Sequence, residues 1–121
     1  MAIVRYIVHD VDAALAFYGV LGFELASRPG PPIAIARKGD LELWISGPGA
    51  SASRKLSDGS KPVPGGWNRF VVEVADIEAA MNDLKAKGAR FRSEPITGPG
   101  GRQVLCEDPS GNPIELFEPG D

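Results

Sequence analysis

An α+β fold of two βαβββ modules is predicted by three features of the sequence. These are an internal repeat, matching chemistry at both ends of the repeated helix, and a Gly/Ser/Pro-rich segment between the copies. VHDVDAAL (8–15) aligns without gaps on VADIEAAM (74–81). Asp10 and Gly22 recur as Asp76 and Gly88, an offset of 66 in both cases, from 10 to 76 and from 22 to 88. Each Asp stands where an N-cap accepts from the free N–H groups of a first helical turn. Each Gly suits the left-handed residue that ends a helix.

Between cap and glycine, apolar residues recur at helical spacing: Val11, Ala14, Leu15 and Tyr18 in one copy, Ile77, Ala80, Met81 and Leu84 in the other. An apolar run precedes each helix (3–8 and 70–74) and reads as a strand. Three short strands are predicted after each helix, at 23–26, 33–36 and 41–45, then at 89–92, 103–106 and 114–117. The domain organisation is therefore a first module over 1–46, a linker over 47–66 and a second module over 67–121. The linker has no periodicity and reads as a tether or as a cover over a site. Gly98, Gly100 and Gly101 lack a strand-to-helix context and read as a hairpin loop, not a phosphate loop.

A small sheet with a helix on one face leaves its other face wet. Two such modules related by a pseudo-two-fold are expected to form a curved, eight-stranded mixed sheet around a cleft, with the helices outside. Side chains alternate along a strand, so in LELW (41–44) Leu41 and Leu43 belong under the helix, leaving Glu42 and Trp44 in the cleft. IELF (114–117) repeats the pattern with Glu115 and Phe117. On the first strands, parity puts Ile3 and Arg5 on one face, and Trp67 and Arg69 in the cleft.

Charged residues make up 24% of the 121, and the net charge is −3 without a basic block, so nucleic acid and anionic membrane are poor partners. Cys106 is the single cysteine, so no intrachain disulfide forms. No leader pattern follows Met1, and no apolar run approaches the about 20 residues of a membrane span. A cytoplasmic location is expected.

DVDAALAFYGVLGF (10–23) and DPSGNPIELFEP (108–119) resemble the vicinal oxygen chelate superfamily, which includes glyoxalase I, bleomycin-resistance proteins, fosfomycin-resistance enzymes and extradiol dioxygenases. The resemblance covers essentially the whole chain. It implies a homodimer, with modules packed within one chain or swapped between two. It also implies that metal-dependent members bind a divalent ion through a His on each first strand and carboxylates on the last strands. By position the histidines fall on Ile3 and Arg69 and are absent; the carboxylates fall on Glu42 and Glu115 and are present.

A catalytic zinc site needs about three protein ligands, and a guanidinium in the site repels a dication. Arg69 is therefore expected to replace the missing cation through a bidentate bond to Glu115, Glu42 or both. The other reading is an ion pair without function. Trp44, Trp67 and Phe117 either stack a planar ligand or fill the core; Arg5 either binds an anionic group at the rim or is a surface charge. His9, the sole histidine, reads as a solvated turn residue, Cys106 as a small buried hydrophobe, and Glu118 as part of a C-terminal tail. The favoured function is a small-molecule binding protein that needs no cofactor, of the bleomycin-resistance type. The alternative is a glyoxalase-like lyase, isomerase or dioxygenase, with a divalent metal or with Glu115 as ligand or general base. A structural dimer with a closed cleft is the third.

Overall fold

The computed structural model describes residues 1–120; Asp121, the end of the predicted second module, lies outside the described residues. β1 (Ala2–Ile7), α1 (Val11–Val20), β2 (Glu24–Gly30), β3 (Ile33–Lys38) and β4 (Leu41–Ser46) form the first module. The second contains β5 (Val71–Glu73), α2 (Ile77–Ala86), β6 (Arg90–Phe91), β7 (Ile96–Gly98), β8 (Gly101–Glu107) and β9 (Pro113–Pro119). One sheet has the order β1-β4-β3-β2 and the other β5-β9-β8-β6, with β7 added to β8. β1 lies parallel to β4 and β5 parallel to β9, while the remaining pairs are antiparallel. The modules and their mixed sheets are those the repeat predicts, with two hydrogen-bonded sheets in place of one continuous eight-stranded sheet. β7 is an addition. It is made by the glycine hairpin, where Gly98 pairs with Gly101 and brings Ile96 opposite Gln103.

Both helices begin and end as their sequences dictate. Asp10 accepts from Ala13 N–H at 3.0 Å and Asp76 from Ala79 N–H at 3.1 Å. At the far ends, Gly22 and Gly88 take φ of 92° and 83°. Phe23 N–H then reaches back to Tyr18 O, and Ala89 N–H to Leu84 O, each at 3.0 Å. These bonds satisfy carbonyls that a helix end would otherwise leave bare. Glu118 is not in a tail: it lies in β9, and its Oε1 accepts from Ile77 N–H at 2.8 Å, closing a further donor at the start of α2. Parity alone did not reveal this, because the bond joins elements 41 residues apart.

The helices cover one side of both sheets. Leu43, Ile45, Val104, Ile114 and Leu116 are buried beneath them with Ala14, Ile77 and Leu84 in a single hydrophobic cluster. The modules meet where Tyr6, Tyr18, Phe23 and Phe70 pack together, with the Tyr6 and Phe70 ring centroids 5.2 Å apart. Tyr6 Oη donates to Pro113 O at 2.8 Å and Tyr18 Oη to Asp108 Oδ2 at 2.7 Å. Because both helices share this core, the opposite faces of the two sheets both turn away from it. The linker holds one short 3-10 turn, Ser51–Ser53. It packs beside Ile7, Val8 and His9, where Pro48, Ser53 and Pro62 help enclose about 140 Å³. No helix among the described residues is long and apolar enough to cross a membrane.

Burial of two acids in this core makes stability depend on alkaline pH. Desolvation pushes the Cys106 thiol from 9.0 up to about 12 and the Tyr6 phenol from 10.0 up to about 12. The unfolded chain releases these protons near the ordinary values, while the folded chain holds them longer. Over that window the unfolded state binds fewer protons, so stability falls as pH rises. The unfolding free energy is expected to hold up to about pH 9 and then decline towards pH 12, by up to about 1.4 kcal/mol per pH unit for the thiol alone. Urea midpoints across this range check it, and Cys106→Ala should delay the onset; an unchanged midpoint between about pH 9 and 11 would exclude it.

Candidate functional site

The uncovered sheet faces carry Arg5, Glu42, Trp44, Glu115 and Phe117, as strand parity selects, whereas Trp67 and Arg69 precede β5 and lie outside the strand on which parity placed them. In the first module Ile3 pairs with Glu42 and Arg5 with Trp44 across β1 and β4. Ile35 stands opposite Trp44, and Arg37 opposite Glu42, on β3. In the second, Val71 pairs with Glu115 and Glu73 with Phe117 across β5 and β9. Gln103 and Leu105 of β8 flank Phe117 and Glu115. Ile3 and Val71 are 54% and 52% exposed, so each uncovered face is open beside its charges and presents an apolar side chain there.

The two carboxylates are held by different arginines. Glu115 Oε1 accepts from Arg69 Nε at 3.2 Å and from Arg69 Nη2 at 2.9 Å. Both N–H groups converge on one oxygen, so the predicted two-oxygen fork is not formed, although the predicted pair is. Arg69 Nη1 also donates to Trp67 O at 3.3 Å. Glu42 does not join Arg69. Its Oε1 accepts from Trp44 Nε1 and its Oε2 from Arg37 Nε, both at 2.8 Å. The Trp44 N–H, then Arg37, hold its carboxyl below the usual carboxylate range.

Backbone register corrects the match between LELW and IELF. Val8 N–H donates to Ser46 O in the first module, and Val74 N–H donates to Phe117 O in the second. The first strands keep the offset of 66, from 8 to 74, while the last strands are offset by 71, from 46 to 117. On that register Trp44 corresponds to Glu115, and Glu42 corresponds to Pro113. Glu42 and Glu115 are therefore not equivalent residues, despite their identical neighbours. The physical reason is that backbone pairing and turn length set register, whereas tetrapeptide identity sets only the face.

Each indole carries a guanidinium. Arg5 Cζ lies 4.9 Å from the Trp44 ring centroid, and Arg92 Cζ lies 4.7 Å from that of Trp67. Trp67 is 69% exposed, which excludes core filling for that ring. Arg92, which strand parity on first and last strands did not select, is fixed on every side. It donates to Glu107 Oε2 at 2.9 Å, Gly66 O at 2.7 Å and Gly111 O at 3.1 Å. His9 is exposed as expected, with its backbone N–H on Ser110 Oγ. Cys106 is fully buried and far from thiolate formation.

Seven residues were selected for this face: Arg5, Glu42, Trp44, Trp67, Arg69, Glu115 and Phe117. None of them lines the cavity of about 750 Å³ that lies on the helix side, between α1 and the Lys87–Arg90 segment. Of the seven, Arg5, Trp67 and Arg69 are exposed, Trp44, Glu115 and Phe117 are half-buried, and Glu42 is buried. A divalent ion does not fit the donor set. Ile3 offers no donor, Arg69 is a cation, Glu115 is engaged by it, and Trp44 stands at the register position of Glu115. Among the described residues no three His, Cys, Asp or Glu side chains gather closely enough to hold a metal.

The fold and sequence have clear relatives. An uncharacterized protein of Mycolicibacterium smegmatis is 27% identical over 112 residues, covering 91% of this chain and 85% of its own. The crystal structure of a Glyoxalase/bleomycin resistance protein/dioxygenase superfamily member from Sphaerobacter thermophilus is similar at 27% identity and TM-score 0.73, with coverage of 98% and 95%. A Glyoxalase/bleomycin resistance protein/dioxygenase family enzyme from Burkholderia phytofirmans shares the fold at TM-score 0.82 and 19% identity, with coverage of 98% and 97%. Residues 1–116 match the family as a whole, and the chain belongs to the Glyoxalase/Bleomycin resistance protein/Dioxygenase superfamily.

Proposed function

We propose that the open face binds a flat, small organic molecule without a metal ion and sequesters it without changing it. The observation that carries this reading is the Arg69–Glu115 pair. A fixed organic cation engages the carboxylate that the superfamily resemblance assigns to a metal, at a position the same resemblance assigns to a histidine. Exposed Trp67, whose carbonyl Arg69 also holds, supplies flat surface beside it, and half-buried Trp44 supplies a second ring on the first module's sheet; stacking on an aromatic ring needs no reacting group. The lyase, isomerase or dioxygenase alternative requires Glu115 as a metal ligand or as a base free to take a proton. Arg69 opposes both roles, because its charge repels an incoming ion and two of its N–H groups already occupy Glu115 Oε1.

Calorimetric titration of dialysed protein with Ni²⁺, Mn²⁺ and Zn²⁺ is expected to reveal no site tighter than micromolar. A ligand library should quench indole fluorescence without turnover. A nanomolar metal site, or a turnover lost on chelation, would transfer the function to the enzymatic reading.

A further inference from the structure

The arginines on the two indoles decide the charge of the ligand, and this inference rests on the binding role just proposed. A cation is attracted to an aromatic face by the ring's negative quadrupole. Trp44 and Trp67 already present one face to Arg5 and to Arg92. A cationic ligand on the opposite face would meet a ring whose electron density is drawn towards a guanidinium and would be repelled by that guanidinium across the ring. A neutral or anionic ring meets the opposite situation.

The acids of this face offer a cation little more. Glu42 is occupied by Arg37, Glu115 by Arg69, and Glu107 by Arg92 at 2.9 Å with Arg90 at 3.8 Å. Glu73 forms no ion pair among the described residues and hydrogen-bonds to neither indole; in register it stands against Phe117. Arg5 is different from the other arginines named here. Its Nη1 donates to Ser46 Oγ at 3.2 Å, its plane lies near Trp44, and no carboxylate among the described residues comes within ion-pair distance. It is exposed, so its remaining N–H groups are open to an incoming ligand. A guanidinium placed on an indole shelf with free donors suits a planar carboxylate.

We infer that the ligand class is an aromatic carboxylate: the carboxylate binds Arg5, and the ring lies along the Trp44 side of the face. The assignment separates this protein from a binder of cationic ligands, which the cleft aromatics and acidic net charge alone would suggest.

Calorimetry with 2-naphthoate and 2-naphthylmethylammonium, equal in ring and opposite in charge, tests the inference. At low salt naphthoate should bind at least about tenfold tighter, the order of one charge-assisted contact. The preference should shrink in high salt, because the site is open to screening. Arg5→Gln should abolish the preference, Arg5→Lys should retain part of it, and Arg54→Gln, in the linker, should leave it unchanged. Equal binding of the two probes, or tighter binding of the ammonium, overturns the inference and leaves the binding role standing. A preference for naphthoate that persists in Arg5→Gln also overturns it, since the anion would then sit elsewhere. Failure of both probes up to millimolar concentration overturns the inference and the binding role together.

Discussion

Replacing Asp108 by alanine should lower the unfolding free energy by about 3–5 kcal/mol, the range for breaking a buried, hydrogen-bonded polar network. Asp108 is only 2% exposed and accepts four hydrogen bonds. Tyr18 Oη donates at 2.7 Å, Ser110 N–H at 2.9 Å, and Asn112 N–H and Nδ2 both at 3.0 Å. The carboxylate thus ties α1 of the first module to the turn between β8 and β9 of the second. Alanine leaves the Tyr18 hydroxyl, in a side chain of 0% exposure, without an acceptor. It also releases the Asn112 side chain, whose Nδ2 holds Ile7 O and whose Oδ1 holds Gly65 N–H. Against a typical total of about 5–15 kcal/mol this is a large fraction. Asn keeps an acceptor, so Asp108→Asn should cost less. Tyr18→Phe should add almost nothing in the Asp108→Ala background, because both remove the same contact. Urea denaturation of the four proteins checks this; a loss below about 1 kcal/mol for Asp108→Ala would show that the network carries no stability.

Asp108 also shows where sequence reading stops. DPSGN opens the motif at 108–119 that carries the family resemblance, yet nothing in it reveals that its first residue holds a tyrosine 90 positions away. Local features were legible because their partners are close in the chain. The caps at Asp10 and Asp76 reach three residues ahead, and the glycine ends reach back across a single helical turn. Faces were legible because side chains alternate with a period of two. Register was not, which is why LELW and IELF looked equivalent and are not. Arg37 lay within reach of inspection: Gly39 and Asp40 form a two-residue turn, with Gly39 at φ 57°, and such a turn puts Arg37 across from Glu42. Arg92 had no comparable signal. Its partners come from the linker end, β8 and the β8–β9 turn, three segments that only the fold brings together.

Arg69→His should give the protein a weak transition-metal site. The substitution removes a fixed positive charge, frees the Glu115 carboxylate from two N–H donors, and supplies an imidazole nitrogen on the segment leading into β5. Two ligands are then available, while Ile3 offers none and Trp44 stands where a second carboxylate would complete the set by register. Calorimetry with Ni²⁺ or Zn²⁺ should therefore find affinity in about the micromolar range, well short of a complete three-ligand site. Arg69→Met separates charge from coordination. It also removes the repulsion, supplies no donor, and leaves Glu115, with only 12% of its side chain exposed, lacking its partner. That variant should gain little metal affinity and lose about 1–3 kcal/mol of stability. If Arg69→His and the natural chain bind Ni²⁺ equally, the guanidinium is not what excludes the ion. The metal-free reading would then have to rest on Ile3 and Trp44 alone. A gain of about tenfold or more identifies Arg69 as the residue whose charge now stands where the superfamily's chemistry uses an ion.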